Sequence, residues 1–136
     1  MILILHSLAN AFSYWQGAEI NNATHVFFDD IQKALGHVQA ITNSLTAIEF
    51  LGGESGWPTD GGSNYEAAIA STKNAAQYYQ QGFCALLKWG IGAFYFEAFD
   101  EPWKPNSVGT NGEAEIETTW GAFDVNRKPK FDLKCT

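Results

Sequence analysis

Residues 47–60, AIEFLGGESGWPTD, combine a short apolar run with one carboxylate set among glycines. The run 47–52 predicts a β-strand that ends where the glycines begin. Glycine permits backbone conformations and close approaches that other residues resist, and Pro58 fixes its own φ and restricts the residue before it. The sequence therefore predicts a strand followed by a sharply shaped loop, which presents Glu54 beside the ring of Trp57.

Strands and helices are predicted to alternate on either side of this loop. In chain order they are a strand at 8–15, a helix at 25–41 with Thr24 as N-cap, the strand at 47–52, a helix at 65–89 with Asn64 or Ser63 as N-cap and Gly90 as its end, and a strand at 91–99 that is apolar enough for burial on both faces. A polar loop, 105–113, follows. This order predicts right-handed crossovers and a parallel sheet.

Three strand ends would then open onto one rim, because functional side chains in parallel α/β folds gather where strands end. They are residues 14–15, Glu54, and residues 99–101. The rim would hold the carboxylates of Glu54, Asp100 and Glu101 close to tryptophans. Such a cluster fits a pair of carboxylates about 5–5.5 Å apart that cleave a glycosidic bond with retention. It also fits a divalent metal site or a merely solvated acidic loop. Lys104 favours the glycosidic interpretation, since a fixed positive charge competes with a cation.

The composition narrows the classes of ligand. The chain has 136 residues, with 8 basic against 15 acidic side chains and a formal charge of −7, and lacks a long basic run. Binding of nucleic acid through a positive face is therefore not expected. An aromatic content of 15%, with five Trp, suits a neutral sugar, whose apolar C–H faces pack on flat rings, although such rings are also ordinary core residues.

Targeting and metal-binding patterns are weak. The three His and two Cys have no metal-ligand spacing, so no metal site is expected. The opening residues MILILHS lack a positive region and a long apolar run, so we expect neither a signal peptide nor a membrane-spanning helix. One disulfide and the sequon at Asn22 would each suit an oxidising compartment.

Three linked motifs carry a family resemblance. The segments GESGWPTDG (53–61), FEAFDEPWKPN (96–106) and EIETTWGAFDVNRKPKFDL (115–133), in this order and spacing, resemble the fungal members of glycoside hydrolase family 17. NAFSYWQG (10–17) resembles the preceding strand of that family, so the similarity covers residues 8–135. The family comprises secreted cell-wall β-1,3-glucanases and β-1,3-glucanosyltransferases, which retain the anomeric configuration.

The resemblance implies a fold and a set of site residues. The fold is α/β, a partial (β/α)₈ TIM barrel made of roughly its last three βα units, strands 6–8. By position, Glu54 matches the nucleophile, and Glu101, Lys104 and Glu117 match charged residues of the cleft. A disulfide between Cys84 and Cys135 would join the second helix to the tail. The candidate sugar platforms are Tyr14, Trp15, Trp57, Phe96 and Trp103.

One part of the family pattern has no counterpart in this sequence. The family's acid/base is a glutamate in an Asn-Glu pair at an earlier strand, and the chain contains no Asn-Glu pair. We therefore expect residues 1–136 to form a single incomplete catalytic domain that lacks the N-terminal half of the barrel.

The activity implied by the resemblance is hydrolysis or transfer of β-1,3-glucan, without a cofactor, at the cell wall or outside the cell. The isolated chain is expected to be weakly active or inactive. The alternative function is that of a non-catalytic β-glucan-binding fragment.

Overall fold

The computed structural model of the chain describes residues 5–60, 64–108, 114–115 and 117–136. Three strands form a parallel sheet in the order β1 (His6–Asn10), β2 (Glu49–Ser55) and β3 (Ala93–Tyr95). Helix α1 (Ile20–Thr42) connects β1 to β2. The connection from β2 to β3 is helical, and consists of α2 (Thr72–Tyr78), a π-helical turn (Tyr79–Phe83) and α3 (Cys84–Lys88). The predicted alternation and the parallel pairing are confirmed.

The element boundaries differ from the predicted ones where caps were assigned. Helix α1 begins at Ile20, five residues earlier than expected, because its first turn already buries Ala23 in line with Phe27 and Ile31. Its N-cap is Glu19, whose side chain makes no cap hydrogen bond, so Thr24 is not the cap. The helix ends at Asn43, whose backbone adopts the left-handed conformation that commonly terminates helices.

The second predicted helix, in contrast, starts later than expected. Ser71 caps α2, since its side chain accepts a hydrogen bond from the backbone N–H of Asn74. Asn64 instead accepts from the backbone N–H of Ala70, and Ser63 lies outside the described residues. Gly90 ends α3 with a φ of 95°, which favours glycine, as predicted.

The first and third strands are shorter than predicted. Residues 13–18 turn back after β1, with the amide of Ala18 bonded to the carbonyl of Ser13, so Tyr14 and Trp15 lie in a turn. Strand β3 is not buried on both faces, because Phe94 is more than half exposed. After β3 the chain forms a short antiparallel pair, β4 (Ser107–Val108) with β5 (Ala114–Glu115). Strand β4 lies within the predicted loop at 105–113, and β5 follows it. Residues 109–113 lie outside the described residues.

The helices cover one face of the sheet. A Cβ on Gly52 would lie against Leu86 of α3, and Tyr95 packs against the rings of Tyr79 and Phe83. Because side chains alternate along a strand, Phe94 points to the opposite face. Leu8 of β1 is likewise more than half exposed. The sheet therefore has one packed face and one face that the described residues leave open.

The aromatic core lies at the carboxyl end of the sheet. Trp120 is fully buried, and its ring contacts those of Phe12, Tyr14, Trp15 and Phe96 at centroid distances between 5.3 and 5.7 Å. The contact with Trp15 is stacked and the other three are edge-to-face, and both arrangements add to the stabilisation that ring burial gives. The core thus supports the strand ends on which the candidate site stands.

The disulfide between Cys84 and Cys135 is confirmed, with a Cα–Cα distance of 5.4 Å. It joins the start of α3 to the C-terminal tail across a sequence separation of 51 residues. Hydrogen bonds from Gln80 to the carbonyls of Asp132 and Lys134 hold the same tail. No helix within the described residues is both long and apolar enough to cross a membrane.

Loss of the disulfide is expected to lower the free energy of unfolding by about 2–4 kcal/mol, because the bridge restricts a long loop in the unfolded chain. The Cys84→Ser/Cys135→Ser double variant would be compared with the oxidised chain by urea unfolding monitored by circular dichroism. An unchanged unfolding midpoint would contradict this account of the bridge.

Candidate active site

Glu54 stands at the carboxyl end of β2, on the open face of the sheet. The next residue, Ser55, points the other way, since its hydroxyl lies 2.7 Å from the buried hydroxyl of Tyr78. The pairing shifts register between Gly52 and Ser55, which interrupts the alternation along β2. Glu54 instead bonds to Asn10, which lies on the same side of β1 as the exposed Leu8, so Glu54 is on the face that the helices do not cover. The Glu54 side chain is exposed, and Asn10 at the end of β1 donates a hydrogen bond to its Oε2 at 3.1 Å. The carboxylate is therefore accessible and oriented by a neighbouring strand.

Two glycines around Glu54 allow close approaches of neighbouring groups. A Cβ on Gly53 would overlap the side-chain oxygen of Asn10, the residue that binds Glu54. A Cβ on Gly56 would overlap the carbonyl oxygen of Phe96, which follows β3. The glycines of the GGESG segment therefore allow neighbouring strand ends to approach more closely than a side chain would permit.

Lys104 organises a group of carboxylates at the neighbouring strand end. Its Nζ lies 2.8 Å from Oε2 of Glu97, 2.9 Å from Oε2 of Glu101 and 3.8 Å from Oε2 of Glu117. The same ammonium lies 4.5 Å from the centre of the Phe96 ring, a cation–π arrangement. The structure thus brings the predicted Glu101, Lys104, Glu117 and Phe96 together. We call Glu97, Glu101, Lys104 and Glu117 the lysine cluster.

The pKa values in the lysine cluster are shifted in opposite directions. Burial raises the pKa of Glu97 to about 7, and the hydrogen bond from Lys104 offsets only part of this rise. The hydrogen bonds of Lys104, and then of Glu97, lower the pKa of Glu101. Burial would lower the pKa of Lys104, but its hydrogen bonds to Glu97 and Glu101 outweigh burial and raise it. Lys104 is therefore a fixed positive charge at neutral pH.

Asp100 does not join the carboxylates at the rim. Its Oδ1 pairs with the ammonium of Lys130 and accepts a hydrogen bond from the backbone N–H of Gly121. Both charged side chains are largely buried, so the pair ties the loop after β3 to the segment near the C-terminus. The expectation that Asp100 belongs to the carboxylate cluster is wrong, because its carboxylate is bound to Lys130 and to the backbone of Gly121.

Two predicted sugar platforms are core residues. Trp57 is fully buried, and its Nε1 donates to the carbonyl of Ile69 at 2.9 Å. Tyr14 is almost fully buried between Trp57 and Trp120, and burial raises its pKa to about 12. Neither ring has a free face for a sugar, so this part of the prediction is wrong. The sequence could not indicate that these rings are buried, because the same residue types, Trp and Tyr, occur both in cores and at sugar-binding surfaces.

The three remaining candidates differ in accessibility. Trp15 is half-buried and stacks on Trp120 at 5.3 Å, and Phe96 is half-buried below Lys104. Trp103 is 73% exposed. It lines a pocket of about 390 Å³ with the following residues: Phe99, Asp100, Glu101, Val125 and Arg127. This pocket, which we call the Trp103 pocket, shares Glu101 with the lysine cluster.

Other described features carry less chemistry. A larger cleft of about 600 Å³ lies at the opposite, amino-terminal end of the strands, among Leu5, Leu35, residues 45–51 and residues 90–92. Apart from Glu49 and Thr46, its lining side chains are apolar or absent. Within the described residues, no group of three or more His, Cys, Asp or Glu side chains could hold a metal ion.

Sequence reasoning missed Asn10 and Glu97. Asn10 follows four residues of strand and faces Glu54 only through the β1–β2 pairing, which residue spacing does not reveal. Glu97 interrupts the apolar run 91–99 as its sole carboxylate, and this lone charge was the available signal. Its partner Lys104 follows seven residues later.

The described chain is thus an α/β protein whose parallel strands carry an exposed, oriented glutamate and the lysine cluster at their carboxyl ends, where functional side chains of such folds gather. Residues 4–135 match the family model for glycosyl hydrolases family 17, and the chain belongs to this family. The resemblance seen in the three motifs is therefore confirmed.

Relatives and solved structures agree with this assignment. The chain is 49% identical over 132 residues to a glucan 1,3-beta-glucosidase of Arthroderma benhamiae, covering 97% of this chain and 43% of that protein. It is 47% identical over 128 residues to a glucan 1,3-beta-glucosidase of Saccharomyces cerevisiae, covering 94% and 39%. The crystal structure of a family 17 beta-1,3-glucanosyltransferase from Rhizomucor miehei matches with a TM-score of 0.69 and 25% identity, covering 96% of this chain and 43% of that one. The chain thus spans about two fifths of the length of these relatives.

Proposed function

We propose that the chain is the nucleophile-bearing part of a β-1,3-glucan hydrolase or glucanosyltransferase that retains the anomeric configuration. The observation that carries this proposal is the placement of Glu54: exposed, at a strand end, on the open face of a parallel sheet, and bound by Asn10. The three βα units would be strands 6–8 of a (β/α)₈ barrel, and residues 1–136 a single incomplete catalytic domain. The substrate class follows the names of the relatives.

The proposed reaction proceeds through a covalent intermediate. An oxygen of Glu54 attacks the anomeric carbon of a β-1,3-linked glucose, and the bond from that carbon to the leaving oxygen breaks. The leaving oxygen takes a proton from a general acid. Water or a hydroxyl of a second glucan then attacks the same carbon, gives its proton to the conjugate base of that acid, and breaks the bond to Glu54. Lys104 favours the ionised form of Glu101, since its hydrogen bond lowers the pKa of that carboxyl group. No step requires a cofactor.

The general acid of this scheme has no candidate among the sequence motifs, since the chain contains no Asn-Glu pair. General acid–base assistance contributes about 10²–10⁴-fold to such reactions. We therefore propose that the chain by itself turns over β-1,3-glucan weakly or not at all. The test is an assay of the purified chain on laminarin-type glucan with Glu54→Gln alongside. Vigorous turnover that Glu54→Gln removes would overturn the proposed absence of the acid.

The proposed cell-wall or extracellular location agrees with the disulfide, since such bonds persist in oxidising compartments. The alternative function, glucan binding without catalysis, is favoured by one observation. The exposed Trp103 offers an aromatic face beside the carboxylate of Glu101 and the guanidinium of Arg127. A sugar presents both an apolar face and hydroxyl groups, so the Trp103 pocket suits it in either function.

Removal of the Trp103 ring is expected to weaken binding of laminaritriose about threefold to tenfold, since the contribution of one ring stacking is of order 0.5–1.5 kcal/mol. Trp103→Ala would be compared with Trp89→Ala, a matched control whose ring is 51% exposed and packs on Phe28 instead. Affinity would be measured by isothermal titration calorimetry. Equal affinities of the two variants would contradict the role of Trp103. The absence of a binding isotherm when laminaritriose is titrated into the unaltered chain would contradict glucan binding itself.

A further inference from the structure

Glu97 has no role in the reaction proposed above, although its carboxyl group is the most enclosed of the lysine cluster. Its side chain is 14% exposed, against 31% for Glu101 and 39% for Glu117. The backbone around it is fixed, since its N–H donates to the carbonyl of Trp120 and its carbonyl accepts from Ala122. The main chain at Glu97 is therefore held on both sides.

The two oxygens of Glu97 are unequal. Oε2 accepts a hydrogen bond from Lys104 Nζ at 2.8 Å. Oε1 is buried and finds no hydrogen-bond donor among the residues that the structure describes. An ionised carboxylate with one unpartnered buried oxygen is costly, because charge removed from water must be compensated by hydrogen bonds or an opposite charge. A protonated oxygen in the same place would be a donor.

The charges of the cluster favour a neutral Glu97. Around it stand Glu101 and Lys104 from the loop after β3, and Glu117 from the segment before Trp120. Three ionised carboxylates around one ammonium would leave two negative charges uncompensated in a partly enclosed site. The group that loses least by taking up a proton is the one most removed from water, which is Glu97.

We propose that Glu97 is a positioning residue, a neutral carboxylic acid that donates its proton in a hydrogen bond to Glu101 and so aligns Glu101 and Lys104 at the strand end next to Glu54. It does not touch the substrate. The role of the aligned Glu101 and Lys104 in the reaction rests on the proposed function, whereas the protonation state of Glu97 does not. The hydrogen bond between the two carboxyl groups agrees with the raised pKa of Glu97 and the lowered pKa of Glu101.

A neutral Glu97 makes stability fall as pH rises. The pKa of Glu97 is about 7 in the folded chain against an ordinary value of 4.5, so the folded chain binds the proton more tightly. The stabilisation is complete below pH 4.5 and is lost as pH rises to about 7 and beyond. Glu97→Gln replaces the acid by an amide that also donates but cannot ionise, and this contribution to the pH dependence should vanish.

The test is a carbon-13 NMR titration of the full chain with labelled Glu side chains, in which Glu97→Gln assigns the Glu97 carboxyl resonance. We expect a midpoint near pH 7, and a midpoint near the ordinary 4.5 would overturn the proposal. Glu101→Gln should lower the midpoint, because it removes the negative charge that holds the proton. Glu117→Gln is the matched control, because the Glu117 carboxylate lies farther from Lys104 and is more exposed than that of Glu101, and it should lower the midpoint less. Equal shifts would overturn the hydrogen bond to Glu101.

A second measurement separates this proposal from the proposed function. Laminaritriose affinity of the unaltered chain should fall between pH 6 and pH 8, while that of Glu97→Gln should stay level. A chain that binds no laminaritriose but titrates Glu97 near pH 7 would refute glucan binding and leave the neutral acid standing. A Glu97 midpoint near 4.5 in a chain that binds laminaritriose would refute the neutral acid and leave glucan binding standing. If Glu97→Gln fails to fold, the midpoint shifts in Glu101→Gln and Glu117→Gln assign the resonance and decide between a neutral and an ionised Glu97.

Discussion

Glu54→Gln is expected to lower the hydrolysis of β-1,3-glucan by about a thousandfold or more in a chain that has been supplied with the N-terminal part of the barrel, the scale of loss seen when a reactive group of a covalent mechanism is removed. The amide keeps the size of the side chain and can still contact Asn10, but it has no anionic oxygen to attack the anomeric carbon. The loss should therefore lie in turnover, with glucan affinity preserved.

The protein for this experiment is a chimera in which residues 4–135 replace the matching C-terminal part of the Saccharomyces cerevisiae relative. Glu49→Gln is the matched control, because Glu49 is an exposed glutamate at the other end of the same strand. Release of reducing sugar from laminarin-type glucan would be measured for all three proteins. A chimera in which Glu49→Gln and Glu54→Gln lose activity equally would remove Glu54 from the role of nucleophile.

Trp120→Ala is expected to reduce the free energy of unfolding by about 3–5 kcal/mol, the usual cost of deleting a buried large aromatic side chain. Trp120 is fully buried and contacts four other rings, so the cavity would open in the middle of the aromatic core. A domain of this size has a total stability of about 5–15 kcal/mol, so the loss is a large fraction of it.

Guanidinium unfolding followed by circular dichroism would measure this effect. Trp89→Ala is the control, since its ring is half exposed and the expected loss is smaller. Trp120→Phe keeps a ring in place and should fall between the two. If Trp120→Ala unfolded at the same denaturant concentration as Trp89→Ala, the aromatic core would not be what holds the strand ends together.

The sequence predicted elements well where packing imposes a period and poorly where local hydrogen bonds decide. Helix α1 was predictable because Phe27 and Ile31 repeat at helical spacing, but its start was not, since Glu19 caps it without a side-chain hydrogen bond. The π-helical turn at Tyr79–Phe83 left no trace in the apolar pattern. The residues before α2 form a bridge between Tyr65 and Ala68, which competes with the earlier cap positions.

The candidate site was predictable to the extent that chain order and glycines expose it. Glu54 was found because glycines surround it at a strand end, and the bond between Cys84 and Cys135 was predicted from the family resemblance. The direction in which an indole points was not predictable, and Trp57 proved to face Ile69 inside the core. The environment of Glu97 depends on Lys104 and on burial, and both arise only when the loop after β3 folds back.

Gly56 has a consequence for anyone who redesigns this protein. The backbone after β2 meets the carbonyl of Phe96 with no side chain between them. The separation between the strand that carries Glu54 and the strand that leads to the lysine cluster is thus set by main chain without a side chain between them. A library that varies this position should return glycine alone, whereas changes to reaction specificity are better sought in the rings and charges that surround it.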